Sequence, residues 1–248
     1  MPIYEKPVRL LMKDFVSQTG LVRGQAITRD QVVSWFRDNY PKIKDGTISA
    51  HLIQMSTNAR SRFHYKANPN GEDDVFFQLD GSHFRLYERE HDPPPIYTKE
   101  QASSETTQPE EEMEEPGQGS EFAYERDLRD FLARHLSLIE PGLRLYEEEG
   151  ITGVEFPAGG RLIDILAVDR NANYVVIDVK VSRGYDRVIG QLLRYIAWVE
   201  QNHAEPHQRV RGVIIAREVS GDLRLAASKL PDVALFEYEL SVSLRRIA

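Results

Sequence analysis

The sequence predicts an α/β protein in two parts: an N-terminal α+β unit with the element order of a winged helix, and a C-terminal unit in which helices flank a mixed β-sheet. Three observations predict this. Before residue 92, three segments with helical apolar spacing precede two short β-rich runs about Asp80-Gly81. After residue 120, β-branched runs alternate with longer helical segments. Between them, DPPPIYTKEQASSETTQPEEEMEEPGQGS is rich in Pro, Glu, Ser and Thr. That stretch cannot bury enough apolar area to offset chain entropy, so it reads as an acidic disordered linker. The expected boundaries are 1–91, 92–120 and 121–248.

In the first unit, Val8 to Gln18 has apolar residues at helical spacing and stops at Gly20. Thr28-Arg-Asp-Gln31 has the form of a capping box and opens a second helix that ends near Tyr40-Pro41. A third helix is expected from Thr47 to about Asn58, with Ile48, Leu52, Ile53 and Met55 for the core. Val75 to Leu79 and His83 to Tyr87 then form a hairpin. The outer side of the third helix would offer Ser49, His51, Gln54, Thr57 and Asn58, with Arg60, Arg62 and Lys66 just beyond it. Such side chains suit base edges and phosphates, which makes this face the expected DNA-binding surface. The plainer alternative is a unit that binds protein or packs on its neighbour.

Composition sets further bounds. The chain has 248 residues, 41% hydrophobic and 28% charged, and its net charge is -8. Much of the excess is local, because eight acids against the single Lys99 fall in 92–120. The remaining parts are nearly neutral, which leaves room for a basic patch facing DNA. No apolar run approaches the roughly 18 residues of a membrane span, and MPIYEKPVRL lacks the apolar core of a signal peptide. A cytoplasmic protein without a membrane partner is expected. With no cysteine, any metal must be held by carboxylates, carbonyls or histidines.

The C-terminal unit opens with a helical segment, Glu121 to His135, in which Glu125 lies on the inward stripe with Leu128 and Leu132. Arg161-Leu-Ile-Asp-Ile-Leu-Ala-Val168 and Val175-Val-Ile-Asp-Val-Lys-Val181 are strands separated by the polar turn Asp169 to Asn173. Asp164 stands five residues before that turn and Asp178 five after it, so an ordinary hairpin register brings the two carboxylates together. Two like charges on an apolar sheet repel, and a bound cation reverses the sign. Alternation puts Val176, Asp178 and Lys180 on one face. A plain Asp178–Lys180 ion pair on a wet face is the competing reading. Next, a helix from Tyr185 to about Gln201 carries Gln191 and Tyr195 on one stripe. Val210 to Ala216, Leu223 to Lys229 and Val233 to Tyr238 are expected to complete the sheet as strand, helix and strand.

Glu on a helix, Asp in a strand, Asp-x-Lys in the next, then Gln and Tyr four apart resembles the PD-(D/E)xK nuclease superfamily. Residues 121 to about 216 are more closely similar to the catalytic domain of the NucS/EndoMS endonucleases, through Glu125-Arg-Asp-Leu-Arg-Asp-Phe-Leu132, Gly142-Leu143, Ile163-Asp-Ile-Leu-Ala-Val-Asp169, Val176-Ile-Asp-Val-Lys180 and Gly190-Gln-Leu-Leu-Arg-Tyr195. The first unit resembles, more loosely, helix-turn-helix modules that precede some restriction-type nucleases. The resemblance implies a restriction-endonuclease-like sheet and a Mg²⁺- or Mn²⁺-dependent DNA endonuclease acting on double-stranded DNA in repair or phage defence. It implies metal ligation by Asp164, Asp178 and the Val179 carbonyl, with Glu125 completing the shell. Lys180 would serve the attacking water and the phosphate, held by Gln191 and Tyr195. Cutting both strands implies a homodimer. The alternative is an inactive DNA-binding regulator that uses the nuclease-like unit for assembly.

Overall fold

The computed structural model describes residues 4–104, 119–184 and 187–240. The N-terminal unit contains α1 (Val8–Thr19), β1 (Ile27–Thr28), α2 (Arg29–Asn39), α3 (Asp45–Gln54), β2 (Phe76–Gln78) and β3 (His83–Leu86). Gly20 closes α1 in the left-handed region at φ 64°, where glycine carries no Cβ penalty. Thr28 and Gln31 form the expected capping box, Thr28 accepting from the Gln31 N–H at 3.2 Å and Gln31 from the Thr28 N–H at 2.8 Å. The three strands pair in the order β1-β3-β2.

The first part of the expected linker, residues 92–104, is anchored. Asp92 pairs with Arg85, Ile96 is buried, and α4 (Lys99–Ser104) packs its Ala102 inward. Lys99 then bridges to Asp127 at 3.1 Å and Asp130 at 2.8 Å. A composition-based reading missed this because a few anchors, here Arg85, Ile96 and Lys99, suffice to pin an otherwise polar strap. The acidic run Glu110 to Glu115 lies outside the described residues.

The C-terminal unit follows with α5 (Gly119–Arg134), β4 (Arg144–Leu145), β5 (Glu147–Glu148), β6 (Ile151–Thr152), β7 (Val154–Ala158), β8 (Arg161–Val168), β9 (Tyr174–Gly184), α6 (Arg187–Asn202), β10 (Val210–Val219), α7 (Gly221–Ala227) and β11 (Val233–Glu237). The main sheet runs β11-β10-β9-β8-β4, with β7 also on β8. It is mixed: β9, β10 and β11 are parallel, whereas β8 is antiparallel to β9, β7 and β4. Helix α5 covers one face through Leu128 and Leu132 against Ile165, Val175 and Ile177. Helix α6 covers the other through Leu192, Ile196 and Val199 with Val176 and Ile214. Among the described residues no helix is long and apolar enough to cross a membrane.

The two units share a core. The cluster that holds Phe15, Val32, Phe36 and Ile48 is continuous with Phe156, Leu192 and Ile196. Helix α3 is the contact element: it packs on β6, β7 and α6, and every residue from Gly46 to Gln54 is buried. At Gly46 even a methyl group would lie 2.6 Å from the His203 ring. The expected DNA-reading face is therefore corrected. Ser49, His51, Gln54, Thr57 and Arg62 are each at most 2% exposed, because the face read as solvated lies against the second unit or the unit's own interior. Arg62 donates to the Gln54 carbonyl at 2.8 Å and pairs with Asp74 at 2.5 Å, lying over the Tyr97 ring. Asn58 is half-buried and exchanges hydrogen bonds with Gln78. Only Arg60 and Lys66 of the expected set are exposed, and Lys66 pairs with Glu147.

Candidate active site

Pairing between β8 and β9 runs from Val168↔Tyr174 to Ile165↔Ile177 and then stops. One step further along that register stand Asp164 and Asp178, so the equal spacing about the turn delivers the expected juxtaposition. Beyond Ile165 the strands part. Asp164 Oδ2 spans the opening and accepts the Val179 N–H at 2.8 Å, replacing the ladder bond that β8 no longer supplies. In a strand the C=O points to the same side as the N–H of its residue, so the Val179 carbonyl also faces this gap.

The gap lets groups from both faces of the sheet meet. Alternation sets Asp178 and Lys180 on the side of α6, and Tyr195 and Gln191 approach from that helix. Gln191 Nε2 lies 3.3 Å from the Tyr195 hydroxyl. Glu125 comes from α5 on the opposite face, yet its Oε1 lies 3.5 Å from Lys180 Nζ. The same ammonium lies 3.5 Å from Asp178 Oδ2. All six side-chain positions expected of the site, Glu125, Asp164, Asp178, Lys180, Gln191 and Tyr195, thus gather about the fork.

Burial makes this cluster electrostatically tense. Asp178 is 1% exposed, and its Oδ2 has no hydrogen-bond partner. Burial, together with Asp164 and Glu125, pushes its carboxyl up to about 7 against the opposing pull of Lys180. Burial likewise raises the Glu125 carboxyl. For Lys180, burial works against the charged form, but Asp178, Asp164 and Glu125 outweigh it and hold the ammonium above its ordinary range. Burial lifts the Tyr195 phenol to about 12, with Asp164 and Asp178 adding to the shift.

A buried carboxylate oxygen without a hydrogen bond, beside a second carboxylate and the Val179 carbonyl, is a donor set that fits a hard divalent cation. Glu125 is tied to Lys180, and among the described residues no three His, Asp or Glu side chains close into a cation cage of their own. Any cation here would rest on Asp164, Asp178 and Val179 first.

Arg129 went unassigned in the sequence. It sits one helical turn after Glu125, is 5% exposed, and ion-pairs with Asp130 and Glu155. The nitrogen that pairs with Asp130 also lies 3.5 Å from His64 Nε2 of the N-terminal unit. Glu155 adopts φ 49°, strained for a residue with a Cβ, and its carbonyl accepts from the Tyr65 hydroxyl at 2.7 Å. The helix that delivers Glu125 is therefore locked to the N-terminal unit. The i, i+4 spacing of Glu125 and Arg129 was the available signal.

Comparison with known proteins divides the chain at the same place. Residues 124–231 match the model of the Endonuclease NucS C-terminal domain, and residues 7–86 match a domain of unknown function, DUF7669. Endonuclease NucS of Methanopyrus kandleri is 33% identical over 108 residues, 44% of this chain and 38% of that protein. Endonuclease NucS 2 of Halobacterium salinarum is 31% identical over 122 residues, 48% of this chain and 45% of that protein. The chain thus spans less than half the length of these relatives. Among solved structures, a repair endonuclease from Pyrococcus abyssi superposes with a TM-score of 0.38 at 21% identity, covering 52% of this chain and 49% of that one. The expected resemblance of the C-terminal unit to the NucS endonucleases is borne out: this unit is NucS-like in sequence.

Proposed function

We propose, from this NucS-like C-terminal unit and its forked strands, that the chain is a Mg²⁺- or Mn²⁺-dependent endonuclease hydrolysing phosphodiester bonds in double-stranded DNA. The observation that carries the reading is Asp178 Oδ2, buried beside Asp164 without a hydrogen bond and with only the Lys180 ammonium 3.5 Å away to offset its charge. Such an arrangement is costly without a cation or an incoming phosphate. Asp164, Asp178 and the Val179 carbonyl would hold the metal. When bound, it would supply Lewis acidity toward water and phosphate oxygens.

The remaining residues have separable roles. Lys180 stays protonated beside three carboxylates, so it acts as a fixed positive charge that orients water and offsets charge on the phosphate, not as the base. Glu125 holds the ammonium from one side of the fork. Tyr195, hydrogen-bonded by Gln191, supports it from the other. The N-terminal unit serves as a docked scaffold that fixes α5 through Arg129, in place of a free α3 reading the major groove. A homodimer would supply a second site for the opposite strand. Repair and phage defence both accommodate this chemistry.

Incubation of the protein with supercoiled plasmid, mismatched duplex and base-modified duplex, in Mg²⁺ or EDTA, tests the reading. Metal-dependent strand breakage that Asp178→Ala abolishes is expected. Intact DNA across the panel would overturn it.

A further inference from the structure

Three parallel strands run past the fork toward their carboxyl ends. The register pairs Ala216 of β10 with Lys180 of β9 on one side and with Glu237 of β11 on the other. Lys180, Ala216 and Glu237 thus form a row across β9, β10 and β11 at strand steps of about 4.8 Å, and Arg217 and Tyr238 stand one residue further along their strands. Carboxyl ends of parallel strands are where open α/β sheets take their ligands.

Arg217 and Tyr238 have a definite side. Ala216 belongs to the core under α6, and the next residue, Arg217, stands beside Tyr238 on the α5 side. Tyr238 packs on the core under α5, and its phenol lies in the field of both Arg217 and Glu125. The ladder shifts register between Ala216 and Glu218, so β10 departs from regular pairing at Arg217 itself. Arg217 is exposed and ion-pairs with no described carboxylate, whereas Lys180 is enclosed by three. One cation is thus committed to the carboxylate cluster, and the other is presented to solvent one strand away.

We propose that Arg217, beside Tyr238, is an anion-binding position that holds a phosphodiester next to the one attacked at the fork. A guanidinium suits this task because its planar donors grip two phosphate oxygens at once. The inference rests on the nuclease reading and deepens it, making Arg217 a positioning residue for the nucleic-acid backbone.

Its test is the salt dependence of binding to a duplex oligonucleotide, measured in EDTA so that no cleavage intervenes. Each phosphate contact contributes about 0.9 to the slope of log affinity against log salt. Arg217→Ala is expected to flatten the slope by about 0.9, Arg217→Lys to restore most of it, and both variants to unfold at the wild-type temperature. A slope unchanged in Arg217→Ala, with wild-type binding intact, overturns the inference and leaves the nuclease reading standing. No duplex binding by the wild type overturns both.

Discussion

Asp164 Oδ2 accepts the Val179 main-chain N–H at 2.8 Å, at the point where β8 and β9 cease to pair. One carboxylate oxygen thereby completes the strand while the rest of the group faces Asp178. Structural and chemical roles are joined in a single side chain, and they can be separated by substitution.

Asp164→Asn keeps an oxygen for the Val179 N–H but removes the charge. It is expected to hold the unfolding midpoint within a few degrees, a change of about 1 kcal/mol or less, while metal-dependent cleavage is lost. Asp164→Ala leaves the N–H unpaired in a part-buried site and should cost about 1–3 kcal/mol in addition. Thermal unfolding followed by plasmid cleavage distinguishes the two.

The Asp178 carboxyl faces Lys180 from its own strand, Asp164 from β8 and Glu125 from α5. Its value in the folded protein, about 7, exceeds the ordinary 3.8, so the folded state favours the neutral form. This contribution is fully present below pH 3.8 and is lost as pH rises toward 7. Asp178→Asn, permanently neutral, should gain on the metal-free wild type across that window, by a few kcal/mol at pH 8. Urea unfolding in EDTA at pH 4 and pH 8 checks this. A stability difference between variant and wild type that is independent of pH would contradict it.

The shared core predicts one cooperative unfolding transition, not two. Gly46→Ala drives a methyl into the His203 ring and is expected to lower stability by about 1–3 kcal/mol, with His203→Ala partly relieving the clash in the double variant. Arg62→Ala strands Asp74 in a part-buried position and should cost about 3–5 kcal/mol. Neither residue reads DNA in this arrangement. Calorimetry showing separate transitions for the two units would refute the docked scaffold.

The fork was legible in the sequence because two facts meet there. A period-two pattern places Asp178 and Lys180 on one side, and equal distances from the Asp169 to Asn173 turn set Asp164 opposite Asp178. The capping box of α2 was equally local, and so equally readable. The burial of α3 was not, because Ser49, His51 and Gln54 describe a wet face and a polar interface in the same terms. What covers them includes β5, β6 and the bend between, where Glu148 accepts from Thr47 at 3.1 Å and Glu149 from the Val8 N–H at 2.9 Å. These two-residue strands are too short to show a period. Arg129 and Arg217 were missed because their significance depends on packing and strand register.

Direct titration with Mn²⁺, followed by calorimetry or by the electron paramagnetic resonance signal of the free ion, tests the central claim most sharply. Saturable binding of one or two ions by the wild type is expected, lost in Asp178→Ala and in Asp164→Ala while both variants remain folded. Equal binding by the wild type and Asp178→Ala, or none by either, would contradict a cation site at the fork.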